Sequence, residues 1–216
     1  MAMLTSLTAP AWLALLPLGG ILGWFNRKRY AQARAAGAQL AVGLGAVEGA
    51  ARKGGMCPWY QGEDGGRRYA FTYATVRLGR EPMAPDATNA DVLRLVLAVQ
   101  APVPAGFDLV HGVGNQKYTG GTSPGFDEVF HIQHEVGWLR HDAREALLAC
   151  VREHGCGLEL IDRDKSYKST RPKDGYLDQA SALLIAQLRG DEHSAEQARG
   201  LLAALQVVTE TLRVSG

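Results

Sequence analysis

The first 26 residues carry no charged side chain, and Arg27, Lys28 and Arg29 follow at once. From Ala9 to Phe25 the chain is an almost unbroken apolar run. At about 1.5 Å per residue, a helix over 9–25 reaches about 26 Å, and extension back to Leu4 covers the roughly 30 Å of a bilayer core. Trp12, Trp24 and Phe25 stand near the two ends, where amphipathic rings favour the headgroup level. Pro17, Gly19 and Gly20 weaken a helix in water but are tolerated in lipid, where neighbouring groups satisfy the freed backbone. A cleaved leader, with its small-residue site near Ala36, puts positive charge ahead of the apolar run; here it lies only behind. A buried core helix is the other competing reading. The expectation is a transmembrane anchor over 1–28, marked by Trp12, Pro17, Trp24, Phe25, Arg27, Lys28 and Arg29.

Orientation follows from the cationic flank. Arg27, Lys28, Arg29 and Arg34 precede the first acidic residue, Glu48. The positive-inside bias then predicts a single pass through the inner membrane, with the N-terminus outside and the following domain in the cytoplasm. Three cysteines, Cys57, Cys150 and Cys156, are an odd set and suggest free thiols rather than a disulfide framework; a Cys150–Cys156 bridge goes with the inverted topology. Beyond the anchor and its flank, 19 basic residues face 22 acidic ones. That balance argues against nucleic acid as a partner, since a nucleic-acid-binding face is strongly basic.

Residues 29–54 are dominated by Ala and Gly and read as a linker helix loosening toward Lys53-Gly54-Gly55. Residues 55–216 have the length of one ordinary domain. Alternation over 68–76 predicts a strand, with 57–61 as its hairpin partner across Glu63-Asp-Gly-Gly66. Further strands are expected at 92–99, 107–111 and 127–134. A helix follows from Asp142, its expected N-cap, to Gly155. A strand is expected at 157–161 with a partner at 166–170, then helices at 176–188 and 195–212. Ser194 and Gln197 form a capping-box pair, and Leu201, Leu205, Val208 and Leu212 make one apolar seam. Helix, three to five strands, helix, two strands and helices predict an α+β domain: an antiparallel sheet with helices on one face.

The same element order occurs in small secretion-chaperone-like folds, an analogy of order that does not fix function. Gly125-Phe-Asp-Glu-Val-Phe130, followed by Leu139-Arg-His-Asp-Ala-Arg144, resembles uncharacterised single-span bacterial membrane proteins with a cytoplasmic α+β domain. The resemblance covers about residues 105–155 and implies no reaction and no site residue.

The chemistry-bearing candidates are few. His131, His134 and His141 lie close in sequence, and neutral imidazole is a good zinc ligand. On a strand, however, His131 and His134 point to opposite faces, and no His-Glu-x-x-His or paired Cys-x-x-Cys is present. Cys150 falls on an apolar helix side, the position of a structural thiol. The glycine-rich 119–125 lacks the Gly-Lys-Ser/Thr ending of a phosphate loop. Lys165, Lys168, Arg171 and Lys173, with Arg163, form a basic run that suits lipid or partner contact, each cation near an anionic leaflet contributing about 1 kcal/mol. A solvated turn is the plainer reading. No catalytic residue and no cofactor is expected. The leading expectation is a membrane-anchored, non-enzymatic interaction or structural subunit whose partners are the bilayer and other membrane proteins. Alternatives are a membrane-bound zinc hydrolase using the 131–141 region and a periplasmic or secreted binding domain.

Overall fold

The computed structural model describes residues 12–49, 57–78, 88–101, 103–111, 125–132, 138–165, 172 and 174–213. Among them the chain runs α1 (Trp12–Leu44), β1 (Val47–Glu48), β2 (Tyr60–Asp64), β3 (Arg67–Leu78), β4 (Thr88–Val99), β5 (Asp108–His111) and α2 (Phe126–Val129). It continues through β6 (His131–Ile132), α3 (His141–His154), β7 (Gly157–Asp162), β8 (Ala182–Arg189) and α4 (Ala195–Arg213). The strands form one antiparallel sheet in the order β1-β2-β3-β4-β8-β7-β5-β6. The expected α+β class therefore holds.

The hairpin β2–β3 turns through Gly65 and Gly66, both at positive φ (57° and 75°). A two-residue loop of that kind matches the twist of its strands. β3 pairs with β4 from Tyr69↔Leu97 to Leu78↔Thr88, and β4 with β8 from Val92↔Arg189 to Val99↔Ala182. With a side-chain period of two, Tyr69, Phe71, Tyr73, Leu93, Leu95, Leu97, Leu184, Ala186, Leu158 and Leu160 share one face. Against it pack Leu40 and Ala41 of α1, Ala143, Leu147 and Val151 of α3, and the expected α4 seam, all buried in one cluster. α4 begins where the sequence predicts: Ser194 Oγ accepts the Gln197 N–H at 3.0 Å. α3 ends at left-handed Gly155. Its N-cap is Arg140 rather than Asp142, which lies inside the first turn and accepts the Ala143 N–H.

Two assignments are corrected. Residues 182–188, part of the helix expected over 176–188, instead belong to β8 at the centre of the sheet. Ala182 to Leu188 are buried on both faces, so the run has no polar face from which to read a period. Residues 127–129, the start of the strand expected over 127–134, lie in a helical turn over 126–129, because Glu128 accepts the Gly125 N–H and Phe130 N–H closes on Phe126 O. Strand pairing there shrinks to His131 and Ile132. The strand expected at 166–170 lies outside the described residues.

The second face of the sheet carries a smaller cluster: Trp59, Ala70, Val96, Ile161, Leu183 and Ile185 under Leu177 and Ala180. The 174–181 segment is held there by Tyr176 Oη donating to Gly62 O (2.8 Å), Arg163 to Asp178 O (2.6 Å) and Ser181 N–H to Val99 O (2.9 Å).

Candidate functional site: the helix that leaves the domain

α1 combines two characters in one unbroken element. Its C-terminal third belongs to the core, and the stretch expected as a linker is up to Leu44 part of the packed domain. Close approach is made possible by glycine: a Cβ on Gly37 would stand 2.5 Å from the Tyr60 ring, and one on Gly43 2.5 Å from Ala195. Tyr60 Oη donates to Arg34 O (3.0 Å) and Tyr69 Oη to Leu44 O (2.9 Å). Burial pushes the Tyr60 hydroxyl pKa up to about 12, so it remains a donor throughout the physiological range. Beyond Leu44, Gly45 turns left-handed (φ 71°) and Ala46 N–H reaches back to Ala41 O at 2.9 Å, closing the helix. Gly45 thus ends the helix, and Gly49 lies close against the Gln61 side chain.

Farther toward its N-terminus α1 comes away from the sheet. Residues 27–32 are exposed, Tyr30 among them at 42%. There Arg29 holds the helix: the guanidinium bonds both carboxylate oxygens of Asp91 near the start of β4, with Nε at 2.8 Å from Oδ2. Thr75 Oγ1 donates to Asp91 Oδ1 (2.8 Å), and Gly190 N–H to Asp91 O (2.8 Å). A bidentate guanidinium–carboxylate pair fixes orientation as well as distance. Arg34 pairs with Glu48 at 2.8 Å. Of the expected anchor residues, Arg27, Lys28 and Arg29 thus lie on the exposed helix where it leaves the domain. Trp12, Pro17, Trp24 and Phe25 lie on the backbone of α1 beyond it. Among the described residues no helix is long and apolar enough to cross a membrane; residues 4–11, which the expected span includes, lie outside them.

The other expected site residues do not converge among the described residues. His141 is the exposed first residue of α3, His131 pairs with Val110 across β5–β6, and His134 lies outside the described residues. No group of three metal-ligating side chains occurs among the described residues. Lys165 follows β7 at the end of the sheet where Asp162 faces Ala182 and Ala182 faces Val99. Asp91 is at the opposite end of β4, and a strand over 91–99 is about 27 Å long. Lys168, Arg171 and Lys173 lie outside the described residues.

Sequence reasoning missed a charged row on the second sheet face. Arg94 lies between Thr72 and Gln187 in register, and Gln187 Nε2 donates to Glu159 Oε1 at 2.9 Å. Burial pushes the Glu159 carboxyl pKa up, and Asp108 adds to this; Arg94 and the Gln187 bond oppose it. The signal was present: Arg94 and Glu159 each interrupt an otherwise apolar strand at a position facing the same side. Buried His111 was also missed. It shares a hydrogen bond of 3.0 Å with Val129 O, and desolvation lowers its pKa. It pins the α2 turn to β5.

Comparison of the chain with protein-family models, curated proteins and solved structures gives no match.

Proposed function

We propose that this chain is a membrane-anchored, non-enzymatic interaction or structural subunit of a membrane protein complex. In this reading its N-terminal segment spans the inner membrane once and its domain stands on the cytoplasmic side. The observation that carries the reading is the continuity of α1, one helix from the domain core at Leu40 into the uncharged apolar stretch before Asn26. A helix with that composition ahead of an Arg-Lys-Arg flank suits a bilayer better than water. Other membrane helices are the natural partners, because Pro17 and the Gly19-Gly20 pair gain from neighbours that satisfy the backbone.

Expression of the full chain beside a chain lacking 1–26 tests this. The full chain is expected to stay in the membrane fraction through alkaline extraction and to co-purify with a stable partner in mild detergent, while the shortened chain is released. A full chain released by alkali, or one that runs alone as a monomer, overturns the reading. A cysteine introduced at Thr5 and another at Glu196 should be labelled from opposite sides of the membrane.

A further inference from the structure

Two of the three cysteines meet at the end of α3. Cys150 lies in its penultimate turn and Cys156 directly precedes β7, with left-handed Gly155 between them. Both are buried, at 2% and 1% exposure. The Cys156 thiol donates to Cys150 O at 3.7 Å. The neighbouring Cys156 thiol, and then burial, push the Cys150 pKa up. A left-handed cap commonly folds the residue beyond it onto the last helical turn; here that fold-back brings the Cys156 thiol to the backbone of Cys150. Cys57 is remote, its sulfur 3.6 Å from Ala33 O beneath α1.

We propose that Cys150 and Cys156 form an oxidisable dithiol whose disulfide staples the end of α3 to the start of β7. The oxidant is a small-molecule disulfide, RSSR. The Cys156 thiol gives up its proton and attacks one sulfur of RSSR; that S–S bond breaks and RS⁻ leaves. The Cys150 thiolate then attacks Cys156 Sγ, forming the intramolecular bond and expelling the second RS⁻. The two thiol protons end on two RSH, and two electrons pass from protein to RSSR. Burial makes the first step depend on opening of the 152–155 turn, where Arg152, Glu153 and Gly155 are exposed. Reclosure then sets the second thiol against the mixed disulfide, so closure of the ring is intramolecular.

The full chain in mild detergent is equilibrated with glutathione buffers of graded poise, then quenched, alkylated after denaturation and mapped by mass spectrometry. The expected product links Cys150 to Cys156 and leaves Cys57 alkylated. Its formation constant should be about tenfold or more above that of the same chain in concentrated guanidinium, because the fold holds the two cysteines together. A constant in the folded chain no larger than in the unfolded chain overturns the proposal, as does a link through Cys57. The C57A variant should keep the link, whereas C156S should stop at a mixed disulfide or stay reduced. Should C156S fail to fold, the folded-to-unfolded ratio in C57A decides alone.

Discussion

On the face covered by α1, α3 and α4, the sheet presents Tyr69, Phe71, Leu93, Leu95 and Leu97, none more than 1% exposed. On the other face the same strands present Ala70, Thr72, Arg94 and Val96, followed by Gln187 and Glu159 across β8 and β7. One side buries large apolar side chains against helices. The other combines a smaller apolar patch with hydrogen-bonded and charged groups. Neighbouring residues on one strand therefore contribute by different physics: dispersion and desolvation on the first face, satisfaction of polar groups on the second.

Phe71 and Thr72 set the sharpest contrast. Phe71→Ala removes a ring stacked on Tyr60 with centroids 5.1 Å apart; it should cost about 3–5 kcal/mol in urea unfolding. A loss below about 1 kcal/mol would mean that the helical face is not the main core. On that same face, Gly37→Ala sets a methyl against the buried Tyr60 ring. Overpacking there should outweigh the gain in helix propensity and leave a net loss of about 2 kcal/mol. Thr72→Val keeps shape but removes the hydroxyl that bonds Cys57 O (3.2 Å) and Pro58 O (2.9 Å); about 1 kcal/mol should be lost in the same assay.

The charged row is expected to show itself through pH rather than through a large loss. Because the Glu159 pKa is raised on folding, its contribution is fully present below the ordinary carboxyl value and lost as pH rises through the raised one. Relative to the parent, Glu159→Gln should therefore gain stability as pH rises above 4.5. A pH-independent difference between parent and variant would remove the charged row from the comparison. The smallest effect belongs to the rim. Arg67 and Glu210 pair at 3.2 Å with Glu210 65% exposed, so Glu210→Gln should change unfolding by no more than about 0.5 kcal/mol.

Much of the first face is legible from sequence. The alternation in Tyr69-Ala-Phe-Thr-Tyr73 and the paired glycines before it specify the β2–β3 hairpin. Ser194 and the seam from Leu201 to Leu212 specify α4. β8 is not legible, since Ala182-Leu-Leu-Ile-Ala-Gln-Leu188 is rich in helix formers and a strand buried on both faces shows no alternation. Its identity comes from β4 and β7 on either side, which lie 83 or more positions and 20 or more positions away at the register pairs Val99↔Ala182 and Asp162↔Ala182. The hold on α1 is hidden for the same reason. Asp91 is 62 positions from Arg29, and no local pattern announces their meeting. Gly37 and Gly43 look like compositional bias until Tyr60 and Ala195 are set against them.

The continuity of α1 has an angular consequence. With 3.6 residues per turn, each residue added to or removed from a helix rotates everything beyond it by about 100°. Under the proposed function, the side of the apolar segment that would meet a neighbouring helix is therefore phased to the sheet through Gly37, Gly43 and Arg29. One alanine inserted after Asn26 would turn that side away without altering its composition. Seven would restore the bearing to within about 20° while lengthening the helix by about 10 Å. A jointed tether would be indifferent to all such insertions; this helix transmits azimuth.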